Sequence, residues 1–196
     1  MRRVLIVAPL VAAACSSSGP AHRPPVRPSA PPSRSAQSTR SGVTGRACPV
    51  TMPNGLTPPG EAPDRRPLEN GGFLGNGRLW TVLWPRGLVL VPADDMGQDG
   101  TLGMKFPWWR GPHVHGGLRI SGHELTAGLP VRADVPDGYG DTGFQATGIA
   151  FPVAGCYEIT GEADGATLTF VTIVRRCSAL AELPRSQRRL YSICQA

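Results

Sequence analysis

From Cys48 to Ala196 no stretch of helical length keeps a 3.6-residue apolar period, and proline or glycine interrupts the chain every few residues. A segment of that kind cannot build amphipathic helices, so its core must come from short strands joined by turns. Two hairpins are expected. The first runs Leu79 to Trp84, turns at Pro85-Arg86-Gly87 and returns as Leu88 to Val91. The second runs Gly155 to Gly161, turns at Asp164-Gly165 and returns as Ala166 to Val174. On that return strand Leu168, Phe170 and Val174 share a face, with Thr167 and Thr169 on the other. Shorter candidates are Leu118 to Ser121, Val131 to Val135 and Gly143 to Phe151. Such spacing predicts an all-β chain folded as an antiparallel β-sandwich, with residues 48–196 as one domain.

Cys48, Cys156, Cys177 and Cys194 lie in this domain. None is in a Cys-x-x-Cys spacing, so an even set reads as two disulfides rather than a zinc site. Three pairings are possible. Counting outward from Asp164-Gly165 places Cys156 beside Ile173 and not beside Cys177, which favours Cys48 with Cys156 and Cys177 with Cys194.

The first 47 residues are of another kind. Arg2 and Arg3 precede an apolar run from Val4 to Ala14, too short to remain as a membrane span and patterned as a signal peptide over residues 1–14. The sequence Val11-Ala12-Ala13-Ala14-Cys15 resembles the lipobox of bacterial lipoproteins, with Ala12 where that family usually has leucine. The resemblance implies diacylation of Cys15 and a membrane partner reached through lipid. Without lipidation, Cys15 would be an odd thiol on a secreted chain. Residues 15–47 are rich in Ser, Pro and Arg, and cannot bury enough surface to fold. They read as a tether reaching on the order of 90 Å if extended.

The formal charge of +6 invites a nucleic-acid partner, but seven arginines and no acid precede residue 48, leaving 13 bases against 14 acids in the domain. Nucleic acid is therefore not expected. The tether arginines read as solubilising, or as contacts to an anionic surface at roughly 1 kcal/mol each.

The run Phe151-Pro152-Val153-Ala154-Gly155-Cys156-Tyr157-Glu158-Ile159-Thr160 resembles the entry to the penultimate strand of immunoglobulin-like bacterial modules. That resemblance implies a glycine corner and an inward tyrosine. Gly75-Asn76-Gly77, Leu79-Trp80-Thr81, Leu102 to Arg110 and Gly143 to Gly148 together are similar to a group of exported actinomycete-type lipoproteins, which implies export and a β fold.

Chemistry is thinly signalled. Trp108 and Trp109, held between Pro107 and Arg110 in a Gly-rich loop region, are the candidate ligand-binding residues: one exposed indole would stack on a sugar and Arg110 would pair with an anion. Trp80 and Trp84 share a strand face and are expected in the core. His113, His115 and His123 lack a companion ligand set and read as surface histidines, and Asp94 to Gly100 reads as a solvated turn. No metal, cofactor or catalytic residue is assigned. The expected role is a binding or structural module of the cell envelope, its ligand a glycan or protein. The alternative is an envelope hydrolase using paired carboxylates among Asp137, Asp141, Glu158 and Glu162.

Overall fold

The structure is a computed structural model and describes residues 47–61 and 71–194. The expected signal peptide, Cys15 and the tether up to residue 46 lie outside the described residues. Among the described residues nine strands are formed: β1 (Gly72–Gly75), β2 (Leu79–Leu83), β3 (Leu88–Val91), β4 (Leu102–Arg110), β5 (Arg119–Glu124), β6 (Arg132–Asp134), β7 (Gly143–Phe151), β8 (Gly155–Ala163) and β9 (Ala166–Arg176). They make a five-stranded sheet in the order β1-β2-β4-β7-β6 and a four-stranded sheet in the order β3-β9-β8-β5. The two pack as a sandwich. The series β2-β4-β7-β6 facing β9-β8-β5 has the A-B-E-D against G-F-C order of an immunoglobulin domain.

The second hairpin forms as the sequence predicts. Asp164 and Gly165 both take positive φ, at 46° and 66°, the mirror-image turn that matches strand twist. Its register sets Cys156 opposite Ile173. The disulfides are Cys48 with Cys156 and Cys177 with Cys194, which mark a protein of an oxidising, extracytoplasmic compartment. Tyr157 is buried and its hydroxyl donates to the Val153 carbonyl at 2.7 Å, a tyrosine corner just before the strand.

The first hairpin does not form. Its two strands exist, but β2 is already flanked by β1 and β4 and has no free edge for β3. Arg86 and Gly87, at φ 54° and 64°, carry the chain to the other sheet, where β3 runs parallel to β9. Thr172 Oγ1 donates to the Gly87 carbonyl at 2.9 Å and Tyr191 Oη donates to that of Pro85 at 2.8 Å, fixing the crossing. Burial pushes the Tyr191 phenol up to about 12.

A second correction concerns Pro107 to Arg110. They lie not in a loop but in β4, the middle strand of their sheet. Threonine hydroxyls supplement the ladder around Pro107, which has no N–H: Thr81 Oγ1 donates to the Pro107 carbonyl at 2.9 Å, and Thr147 Oγ1 to that of Phe106 at 3.2 Å.

The core lies between the sheets, where β4 alternation turns Leu102, Met104, Phe106 and Trp108 inward. Trp108 stands 6.1 Å from Phe170, ring centroid to centroid. Its six-membered ring lies on Gly161 of β8, where an added Cβ would come within 2.4 Å. An indole on the B-like strand thus meets a glycine on the F-like strand, the two strands that a disulfide joins in antibody domains. Gly161→Ala is expected to cost about 1–3 kcal/mol by overpacking, read as a lower denaturant midpoint at unchanged slope.

Candidate binding face

The outer faces of the two sheets differ sharply. On the four-stranded sheet the register lines up Arg119, Ser121 and His123 of β5, Glu158, Thr160 and Glu162 of β8, and Thr167 and Thr169 of β9. These are the solvated residues expected outside a sandwich, and Val171 and Ile173 continue the same face as a half-buried apolar end. On the five-stranded sheet the outward set is Gly103, Lys105, Pro107 and Trp109 of β4 against Ala150, Gly148, Ala146 and Phe144 of β7. Across the middle of that face only Lys105, the chain's single lysine, is charged. Arg132 and Asp134 of β6 close one edge.

At one end of this face lies a groove of about 660 Å³. Gly103, Gly148 and Ala150 are small enough to make its floor, and Trp84 and Ile193 line it together with Asp95, Lys105, Arg132 and Asp134. Gly103 is required there: a Cβ would come within 2.7 Å of the Asp95 carbonyl, so the turn at 93–95 can lie close to the strand only over glycine. Arg132 holds Asp99 at 2.9 Å and also lines an adjoining recess of about 350 Å³ with Leu129, Pro130 and Pro152. The Asp99 carboxyl is held below its ordinary value, chiefly by the Thr101 hydroxyl and amide. The stretch from Asp94 to Gly100 is thus a turn.

The groove depends on the C-terminal tail, because Ile193 precedes the half-cystine Cys194. Breaking Cys177–Cys194 by a double serine substitution is expected to speed tryptic cleavage at Arg185 or Arg189 several-fold while the sheet signal in circular dichroism is kept.

At the other end the face is aromatic. Phe73, Trp80 and Trp109 form a cluster on the outer side of the sheet. Trp109 meets Phe73 edge-on at 5.4 Å and Phe144 at 5.2 Å, and Phe144 meets Tyr139 at 6.0 Å. The Trp109 indole N–H donates to Glu61 Oε1 at 3.2 Å. The series runs from buried to open: Trp109 is 8% exposed, Tyr139 39% and Phe144 46%.

The expected exposed indole is therefore absent. Trp108 is fully buried in the inter-sheet core, and Trp109 is covered by Phe73, Phe144 and the Glu61 segment. Trp80 is buried, but in the outer cluster and not the main core, because Leu79, Thr81 and Leu83 take the inward positions. Trp84 lies past the end of β2, half-buried at the groove. Arg110 is also buried, and its guanidinium donates to the carbonyls of Gly116 and Gly140, tying two loops together. Sequence reasoning missed Phe144, Tyr139, Ala150 and Ile193. For the β7 pair the available signal was the alternation that sets Phe144, Ala146, Gly148 and Ala150 on one face without a charged residue.

Other candidates are dispersed. His113 and His123 are exposed, and His115 lies 3.5 Å from Asp141. Glu158 and Glu162 are on the polar outer face, with Glu162 3.2 Å from Arg119, whereas Asp137 and Asp141 are on the loop before β7. Glu124 is buried at the end of β5, where its Oε2 accepts the amides of Thr126, at 2.7 Å, and Ala127. The Ala127 amide is the main cause of a carboxyl held below its ordinary 4.5, against desolvation and with help from Thr126. A depressed carboxyl stabilises the fold above its unfolded value and loses that contribution as pH falls through the folded one. Thermal melts are therefore expected to fall as pH drops below about 4.5, and Glu124→Gln to flatten that slope.

No protein-family model matches the chain and no curated protein matches it. Among solved structures it is similar to domains 4 and 5 of the S-layer protein SbsC, at 15% identity over 46% of this chain and 42% of that one, with a TM-score of 0.32. The match spans less than half of either chain.

Proposed function

We propose that this chain is a lipid-anchored binding module of the bacterial cell envelope and that it works through the outer face of the five-stranded sheet. The observation that carries this reading is the contrast between the two outer faces. One has a Thr, Ser, Glu and Arg surface that turns apolar only at half-buried Val171 and Ile173, whereas the other has Gly, Ala, Pro and Phe around a single lysine, with a groove and two exposed rings. Contiguous apolar surface of that kind marks an interaction site. The disulfides agree with export, and the resemblance of Val11 to Cys15 to a lipobox supports acylation of Cys15. The tether would then hold the domain clear of the bilayer.

Co-sedimentation of the full chain with isolated cell envelopes tests the face. Ala150→Arg, which fills the groove, and Phe144→Ser should each weaken sedimentation while the sheet signal in circular dichroism is kept, and Thr169→Arg on the polar face should not. Equal behaviour of all three would overturn the assignment. Labelling with a fatty acid tests the anchor, and label retained by Cys15→Ser would contradict it.

A further inference from the structure

Two neighbouring loops at one end of the sandwich are apolar. Residues 125–131 join β5 to β6 and residues 152–154 join β7 to β8, and neither stretch holds a charged side chain. On them Leu125, Leu129 and Val153 are 39%, 37% and 43% exposed. We propose that the tips of these two loops dock on the bilayer that carries the lipid anchor, with the three aliphatic side chains entering the boundary between headgroups and acyl chains. The proposal rests on the lipid-anchor part of the reading above and adds a second, non-covalent contact with the membrane.

Three observations converge on it. First, the two loops are neighbours and are held in shape. Glu124 Oε2 accepts the amides of Thr126, at 2.7 Å, and Ala127. The Gly128 amide donates to the Glu124 carbonyl at 2.9 Å, and the Glu124 amide to that of Leu129 at 2.8 Å. Tyr157 Oη donates to the Val153 carbonyl at 2.7 Å, and Leu129, Pro130 and Pro152 line one recess. The tips are thus preformed, so docking orders little chain. Second, they stand where the tether joins the domain. The Leu125 amide donates to the Cys156 carbonyl at 2.8 Å, and Cys156 is the half-cystine bonded to Cys48. A tether over residues 15–47, on the order of 90 Å when extended, sets how far the domain can stand from the bilayer and equally lets this end return to it. Docking is then intramolecular, and weak affinity suffices. Third, the charged residues that flank the longer loop are engaged, Glu124 by its two amides and Arg132 by Asp99 at 2.9 Å.

Uncharged aliphatic tips suit an apolar phase and give a polyanion nothing to pair with. A protein partner is disfavoured because the tips offer Leu, Val, Ala, Pro, Gly and Thr, whereas the anchors of protein interfaces are mainly Trp, Tyr and Arg. Docked by this end, the strands stand upright on the bilayer and the outer face of the five-stranded sheet stays open.

Vesicles of phosphatidylcholine with brominated acyl chains, holding the full acylated chain by its anchor, test this. Leu129→Trp and Val153→Trp put an indole on each tip, Thr167→Trp puts one on the exposed surface beside the β8–β9 turn at the opposite end, and the parent supplies the blank. The added emission of both tip variants should be quenched and shifted to the blue, and that of Thr167→Trp should be unchanged. Leu125→Asp added to Val153→Trp should abolish the quenching. Raising the salt from about 0.1 to about 1 M, which cuts the screening length from about 10 to about 3 Å, should not. The proposal is overturned if the tip indoles are quenched no more than that of Thr167→Trp, or if salt releases them. It is also overturned if they shift to the blue in isolated envelopes but not on vesicles, which assigns the loops to a protein or polymer. A Cys15 without an acyl group overturns the anchor and this proposal together, whereas an acylated chain with unquenched tips overturns this proposal alone.

Discussion

Trp108→Ala is expected to remove about 3–5 kcal/mol of stability, the range for deleting a buried tryptophan. A domain of this size has about 5–15 kcal/mol in total, so the variant should melt far below the parent. The indole is fully buried, lies on Gly161 and stands 6.1 Å from Phe170 across the sandwich, so its loss leaves a cavity that both sheets line. Neighbouring Trp109→Ala should cost less, because that ring sits in an outer cluster of three buried residues, with Phe144 open to solvent beside it. Denaturant unfolding followed by the fluorescence of the remaining tryptophans ranks them. A loss for Trp108→Ala of under about 1 kcal/mol would contradict the core assignment.

Removing the Cys48–Cys156 bond by a double alanine substitution should have an effect of similar size. The bond closes a loop of sequence separation 108, and constraint of an unfolded chain over about 100 residues corresponds to roughly 4.7 kcal/mol. It also holds residues 48–51 across the outer edge of β9, where the Thr51 amide donates to the Val171 carbonyl and the Val171 amide to Thr51 Oγ1, both at 2.9 Å. Without the bond that segment should fray first, exposing Val171 and Ile173. Cys177–Cys194 closes only 17 residues and staples a tail, so its loss should spare the sheets. Urea unfolding of both double variants is the measurement. Equal stability of the two would contradict the ranking.

The legible parts of the chain were those whose signal is local. Asp164-Gly165 specified both its turn and, by counting, the Cys156 to Ile173 register that separates the disulfide pairings. The inward Tyr157 was readable from the local run around Gly155. The illegible parts depended on distant partners. Pro85-Arg86-Gly87 looks like a hairpin turn, and only the occupied edges of β2 send β3 to the other sheet. The stretch from Pro107 to Arg110 looks like part of a Gly-rich loop, and the threonines that bond around Pro107 within β4 are 26 and 40 residues away. Alternation told which β7 side chains share a face. It could not tell that Phe144, Ala146, Gly148 and Ala150 look outward, because Gln145 and Thr147, on the inward face, are the more polar set.

The binding face is tested most directly by footprinting its single lysine. Lys105 is exposed at the groove, whereas His123 is exposed on the polar outer face of the other sheet. With the full chain bound to isolated envelopes, an amine acylating reagent and diethyl pyrocarbonate can be applied in turn and their adducts read by mass spectrometry. Protection of Lys105 with His123 still modified is the expected result. Protection of His123 with Lys105 still acylated would place the contact on the opposite sheet and contradict the assignment.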